Sequence, residues 1–494
     1  MNPVSLFDTK IPCWYNLIMR KTLLALLLIL LISSLGVYPH VAYGIVLEKG
    51  KIIKKVICLN EPAQSYALYL PLEYTPEKKW PILYALDPGA RGSLPLEQYK
   101  AAAEKYNYIV VGSNNARNGP WEPIIRSIIA IWNDTNARLS IDQKRIYVTG
   151  FSGGSRAASL FSKIIKRPVA GIIGCGGGLA SMLKTEEIAP AFYSGVVGIE
   201  DFNYEEMLTL DKQFDKHNIS HRFFVFKGVH SWPPEDVCLR VIEWLEILGM
   251  SKKIRPSDIE LIKEIYDKEL AKAETLEASG QLLQAVSDYE AIASTFKEWQ
   301  ATDAIETKIE IIKKNKEYKR LMKKEKKRRD KELFQRTKFR RILTQIENDE
   351  SPYQNLENIL FDLGLNILIR ETSKKKNLND SALDIRILHR LEIDSSGKGW
   401  DYLRKNDHKR AILFFEIAAR AGIRSHRRLY SYYGLASAYS LSENSKQALK
   451  NLKVAVECGF EDIAFLEQDE RLKFIRETPE FQEILETLKK KQTP

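Results

Sequence analysis

The chain has 494 residues, of which 44% are hydrophobic, 10% aromatic and 28% charged. That length allows two or three domains, and the composition excludes a low-complexity, collagen-like or disulfide-scaffold protein. The net charge of +11 does not describe a basic fold: residues 313–341 hold sixteen Lys/Arg against four Asp/Glu, which nets +12 and leaves the rest of the chain at −1.

The N-terminus reads as an export signal. Met19-Arg20-Lys21 supplies a short positive region, residues 23–37 are almost wholly apolar, and Ala42-Tyr43-Gly44 ends the run with small residues at cleavage spacing. The apolar run falls short of the roughly 20 residues that a membrane span needs. An uncleaved anchor stays open as the alternative. A start at Met19 suits the signal better than one at Met1. The expected location is therefore periplasmic or secreted, with 1–44 removed. Cys13 precedes the signal, and Cys58, Cys175, Cys238 and Cys458 are too scattered for a disulfide framework. One pair bridging in an oxidising compartment stays open.

From residue 65 to about 249, strand-like runs (65–70, 80–86, 108–111, 145–149, 169–174, 191–198, 222–226) alternate with helical patterns (97–106, 124–137, 155–165, 204–217, 235–248). Such alternation predicts an α/β domain over 45–250, with a doubly wound, mainly parallel sheet. The central runs are apolar without alternation, as a sheet covered on both faces requires.

Residues 251–258 form a polar joint containing Pro256, and beyond it only helical periodicity continues. Residues 251–345 read as a helical linker holding a first repeat and the basic run, and 346–494 as further helical repeats. "NDHKRAILFFEIAARAG" and "ENSKQALKNLKVAVECG" align Ala411 with Ala448 and Gly422 with Gly459, and residues 279–296 share the layout around Ala285. A small residue there lets paired helices approach closely. The region resembles a divergent tetratricopeptide array, which would offer a surface to a protein or polymer partner. The basic run reads as a long solvated helix, with anionic lipid headgroups as the rival partner. Nucleic acid is not expected, because aromatics such as Phe334 and Phe339 are sparse among the charges and the signal predicts export.

At 150–154 stands Gly-Phe-Ser-Gly-Gly, a G-x-S-x-G pattern between a strand run and a small-residue helix. Small residues two positions either side let strand and helix meet in a tight turn, which lifts the serine above the sheet. Ser152 is thus the candidate nucleophile, and Gly153 N–H a candidate oxyanion donor. A serine hydroxyl needs a base and an orienter. Asp201, just past the 191–198 run, is the preferred acid, with Glu200 as rival. His230, directly after the last strand run, is the candidate base. Of the other histidines, His40 lies in the signal, His217 and His221 precede the last strand, and His389, His408 and His426 lie in the helical half. Gly89 and Ala90, after the second strand run, are candidates for the second oxyanion donor. Asn114, Asn115 and Trp121 are candidate substrate-binding residues. No metal-ligand spacing, Walker loop or dinucleotide fingerprint is present.

The "GFSGGS", "GIEDFN" and "GVHSW" segments around Ser152, Asp201 and His230 resemble the α/β-hydrolases, closest to the esterase and polyhydroxybutyrate-depolymerase-like branch. The resemblance covers under half the chain. It implies cleavage of an ester or related acyl bond with no cofactor. The chain departs from that pattern in having Asp87-Pro88-Gly89 where a His-Gly dipeptide is common, and little sequence for a lid. A catalytically inactive scaffold, with the repeats as an interaction module, is the second function class. Since every triad candidate precedes Gly249, the helical half is expected to be dispensable for the chemical step.

Overall fold

The computed structural model describes residues 47–188, 191–349, 355–374, 378–422, 425 and 427–492. The expected signal segment lies outside them.

Eight strands form one sheet: β1 Ile52–Ile57, β2 Ser65–Tyr69, β3 Trp80–Leu86, β4 Ile109–Ser113, β5 Ile141–Phe151, β6 Gly171–Cys175, β7 Phe192–Gly198 and β8 His221–Phe226. Their order is β1-β2-β4-β3-β5-β6-β7-β8. The pairings β1–β2 and β2–β4 are antiparallel, and all others are parallel. This is the doubly wound, mainly parallel sheet expected from the sequence. Every residue of β3, β4, β6 and β7 is buried, which is why those runs carry no polar alternation. β1 escaped the sequence reading. Its "IIKKVI" places two exposed lysines mid-strand, the charges that blunt an edge strand against further pairing.

Five helices cover the two faces: α1 Ser93–Tyr106, α2 Trp121–Arg138, α3 Gly153–Ile165, α4 Tyr204–Lys216 and α5 Glu235–Ser251. Because β3 to β8 run parallel, the loops that follow them all emerge on one edge.

Beyond α5 every described element is helical. The joint at 251–258 ends in Asp258, whose side chain caps α6 Ile259–Ala278 by accepting from Leu261 N–H. Next come α7 Leu282–Phe296, α8 Asp303–Lys314 and α9 Lys316–Glu347, the basic run as one helix of 32 residues. Then follow α10 Leu356–Leu363, α11 Leu365–Lys374, α12 Leu378–Arg404, α13 His408–Ala421, α14 Arg428–Leu441 and α15 Ser445–Glu457. Short helices at 463–468 and 473–476 and a last one at 479–492 complete the chain. Ala285, Ala411 and Ala448 are all fully buried.

The two parts share a core. Ile247 and Met250 of α5 pack with Ile262, Ile265, Tyr289 and Phe296 of α6 and α7 in one apolar cluster. The basic helix also differs from a purely solvated connector: Lys324 and Arg328 pair with Asp380, Lys331 with Asp384 and Arg329 with Glu205. No helix among the described residues is long and apolar enough to cross a membrane. Cys58, Cys175, Cys238 and Cys458 are free thiols.

Candidate active site

β5 ends at Phe151 and α3 begins at Gly153, so Ser152 alone makes the turn. Its backbone lies at φ 55° and ψ −117°, a conformation costly for a residue with a side chain. The flanking glycines make the turn feasible. A Cβ on Gly150 would overlap the Gly154 carbonyl, and one on Gly154 would overlap the Leu86 carbonyl. Ser152 is half-buried and so remains reachable from solvent.

The chain order Ser–Asp–His converges on one hydrogen-bonded line. His230 Nε2 lies 3.0 Å from Ser152 Oγ, and His230 Nδ1 lies 2.9 and 2.8 Å from the two Asp201 oxygens. A carboxylate only accepts, so Nδ1 carries the proton and Nε2 is left as an acceptor for the serine hydroxyl. Asp201 is fully buried and also accepts from Asn203 N–H at 2.8 Å. His230 is buried between rings, its centroid 4.5 Å from Phe151 and 4.1 Å from Phe202. Of the two carboxylates at 200 and 201, it is Asp201 that meets the imidazole; Glu200 N–H donates to the Gly228 carbonyl instead.

The wall behind the triad is the glycine loop after β6. A Cβ on Gly176 would stand 2.8 Å from Asp201 Oδ2, so bulk there would push the acid off the histidine. Asn203 Nδ2 donates to the Gly176 carbonyl, and Ser155 Oγ to that of Gly177. Cys175, just before this loop, is no rival nucleophile: burial pushes its thiol up to about 12. A groove of about 1000 Å³ opens beside this loop, bounded by Gly178, Glu206, Leu333, Arg336 and Arg340.

The expected oxyanion loop is arranged differently from the sequence expectation. Gly89 N–H donates to Asp87 Oδ1 at 2.8 Å, and Ala90 N–H to the Asp87 carbonyl at 2.9 Å. Both are thus committed within their own turn, where Ala90 sits at φ 59°. Gly153 N–H is the first of α3 and has no preceding helical carbonyl to bond. A side chain the sequence reading passed over lies against it: a Cβ on Gly153 would overlap the carboxamide of Asn118. Asn118 belongs to the polar 113–121 segment and is held there by its N–H donating to the Pro88 carbonyl at 2.9 Å.

Asn114 and Asn115 lie on the same edge and bond β1, β2 and the turn between them. Asn114 Nδ2 donates to the Lys54 carbonyl, and Asn115 accepts from Ser65 N–H at 2.8 Å and donates to the Ala63 carbonyl. These bonds staple the sheet edge. Trp121 is half-buried at the start of α2.

Asp87 is fully buried. Burial opposes its charge, but hydrogen bonds from Arg91, Trp232 Nε1 and Gly89 N–H outweigh it and hold the carboxyl below its ordinary range. Among the described residues, no cluster of three His, Cys, Asp or Glu side chains forms a metal site.

No family model matches the chain, and no curated protein matches it. Solved structures do. An S-formylglutathione hydrolase from Staphylococcus aureus is 15% identical over 37% of this chain and 92% of its own, with a TM-score of 0.31. Esterase B from Lactobacillus rhamnosis is 14% identical over 42% and 90%, with a TM-score of 0.34. A hyperthermophilic esterase from the archaeon Pyrobaculum calidifontis is 10% identical over 40% and 85%, with a TM-score of 0.32. At these identities the likeness carries no argument about activity or substrate.

Proposed function

We propose that this chain is a serine hydrolase that cleaves a carboxylic ester or related acyl bond through an acyl-enzyme. One observation carries the reading: a reachable serine on a strained strand-to-helix turn, in line with a buried His–Asp pair. In this mechanism Ser152 Oγ attacks the acyl carbon while its proton passes to His230 Nε2. Asp201 holds the imidazole in the required tautomer and stabilises the cation that forms. The oxyanion receives Gly153 N–H and, in place of a second backbone donor, the Asn118 carboxamide. Collapse expels the alcohol, which takes the proton from His230. Water then repeats the sequence on the acyl-enzyme and releases the acid, regenerating Ser152.

The motifs at Ser152, Asp201 and His230 support an esterase-type substrate, as in the esterase and polyhydroxybutyrate-depolymerase-like branch. The buried alanines at 285, 411 and 448 support a tetratricopeptide-like array that binds a protein or polymer. The apolar segment before Gly44 supports export.

A fluorophosphonate probe tests the activity. Labelling of the full chain that disappears in Ser152→Ala, with parallel loss of p-nitrophenyl acetate hydrolysis, supports the reading. A wild-type chain that neither labels nor hydrolyses is the inactive scaffold.

A further inference from the structure

The loop between β7 and α4 carries Asp201, and the two carbonyls that bracket the acid are held from outside the hydrolase part. The Ile199 carbonyl accepts from Arg386 Nη1 at 2.7 Å, and the Phe202 carbonyl accepts from Arg336 Nη2 at 2.9 Å. Arg386 sits on α12 and Arg336 on α9. Glu332, fully buried, joins them: one oxygen accepts from Arg336 and the other from Arg386 Nε and Nη2 at 3.1 and 2.6 Å. The Arg386 guanidinium also lies 4.3 Å above the ring of Tyr204, the first residue of α4.

We infer that Arg336 and Arg386, coupled through Glu332, are positioning residues for the triad, so that the helical region completes the active site rather than merely following it. This rests on the triad reading above.

The argument runs from cost to geometry. Burying Arg386 and Glu332 forfeits their hydration, and such a group adds little net stability over an apolar filling. The two bonds that leave this group do not fall at random. They fall on the residues two before and one after the acid. The triad tolerates little drift there: Phe202 packs at a tilt against the His230 ring, and Asp201 must reach Nδ1. Arg386, bound to Glu332 through Nε and Nη2 and to Ile199 through Nη1, and Arg336, whose Nη2 serves both Glu332 and Phe202, fix the loop at two points. Inside the loop, Asn203 N–H on Asp201 Oδ1 fixes only the carboxylate relative to its own backbone.

The test uses the full-length chain and reads both rate and the His–Asp hydrogen bond. Arg386→Ala, Arg336→Gln, Glu332→Gln, Arg386→Lys and, as a control, Arg320→Ala are compared with wild type. Arg320 is an exposed cation of the same helix whose side chain, among the described residues, bonds only Glu317. Each is assayed for kcat and KM on p-nitrophenyl acetate and for the far-downfield proton resonance of the imidazole Nδ1–H. Circular dichroism checks the fold. Arg386→Ala and Arg336→Gln are expected to lower kcat by about 10- to 100-fold, the scale of a small misplacement. KM stays within about twofold, because the substrate is not touched. The downfield resonance weakens or disappears. Arg386→Lys recovers part of the rate, and Arg320→Ala changes neither reading. If Arg386→Ala does not fold, Arg336→Gln, at a partly exposed site, decides. Folded variants that keep wild-type kcat and an unchanged resonance overturn the inference, as does a wild type with no such resonance. A wild type that shows the resonance but never labels or turns over overturns the hydrolase reading instead, while the variants' resonances still decide the positioning.

Discussion

Trp232 Nε1 donates to Asp87 Oδ2 at 2.8 Å, a bond that ties the loop carrying His230 to the loop after β3. Arg91 grips the same carboxylate through Nε and Nη2 at 2.8 and 2.9 Å. Asp87 therefore braces the base from a strand that contributes no triad member.

Asp87→Asn should loosen this brace. The carboxyl is held below its ordinary range, so the stability it contributes is present above the unfolded pKa of about 3.9 and is lost as pH falls through the depressed value. At pH 7 the variant is expected to lose about 1–3 kcal/mol in urea unfolding. The deficit should shrink on acidification. A deficit that stays constant down to acid unfolding contradicts the assignment.

Ser152→Ala and His230→Ala should each reduce ester turnover on the order of 10⁴–10⁶-fold, as for residues that act as a unit. Asp201→Asn should also be severe, because it favours the wrong tautomer, while Glu200→Gln should be mild. Steady-state rates of the four variants decide it; a crippled Glu200→Gln beside a mild Asp201→Asn reverses the choice of acid.

Asn118→Ala should lower kcat by about 10²–10³-fold, the usual cost of one oxyanion donor. A variant of Asn118 with full kcat would return the second donor to the loop at 87–90, which would then have to turn an N–H away from Asp87.

The parts of this site that sequence shows are those set by local sterics. The elbow is readable because Gly150 and Gly154 answer a demand made within five residues. Asp201 and His230 are readable because each directly follows a strand run. What sequence does not show is where donors point. Gly89 and Ala90 look like free N–H groups until the structure turns both onto Asp87. Asn118 is one polar loop residue among several, singled out only by its contact with Gly153. Arg336 and Arg386 are hidden more deeply. The first is one cation in a run of sixteen, and its bond to Phe202 spans 134 residues.

Glu392 of α12 supplies a test of the helical region by pH. It is buried, and burial pushes its carboxyl up to about 7 against the cations of Arg427 and Arg428. An acid whose folded pKa is raised binds protons more readily when folded. Stability should thus fall as pH rises from about 4.5 through 7, where the native state must lose that proton. Glu392→Gln should raise Tm at pH 8 and leave it little changed at pH 5. Equal shifts at both values would contradict a buried, protonated carboxyl.

A cut after Lys252 removes every helix beyond α5, and on sequence grounds it should spare the chemistry. The structure gives two separate reasons for the opposite outcome. The first is the seam. Arg222 of β8 and Arg240 of α5 share Glu269 of α6 and Asp288 of α7, and this pairing holds the Glu269 carboxyl down at about 2, overcoming its burial. Without α6 and α7, Arg222 and the apolar face at Ile247 and Met250 lose their cover. Breaking a buried ion pair from one side costs about 3–5 kcal/mol, and each uncovered apolar side chain about 1.5–3 kcal/mol. The fragment 48–252 should aggregate. The second reason is the acid loop. A longer fragment, 48–314, keeps α6 to α8 and so restores the seam, yet it lacks both Arg336 and Arg386. It should be monodisperse and folded but at least about tenfold slower on p-nitrophenyl acetate than the full chain. Light scattering and turnover on the two fragments separate the effects. A monodisperse 48–314 fragment with the full-length rate would show that the loop keeps Asp201 in place unaided.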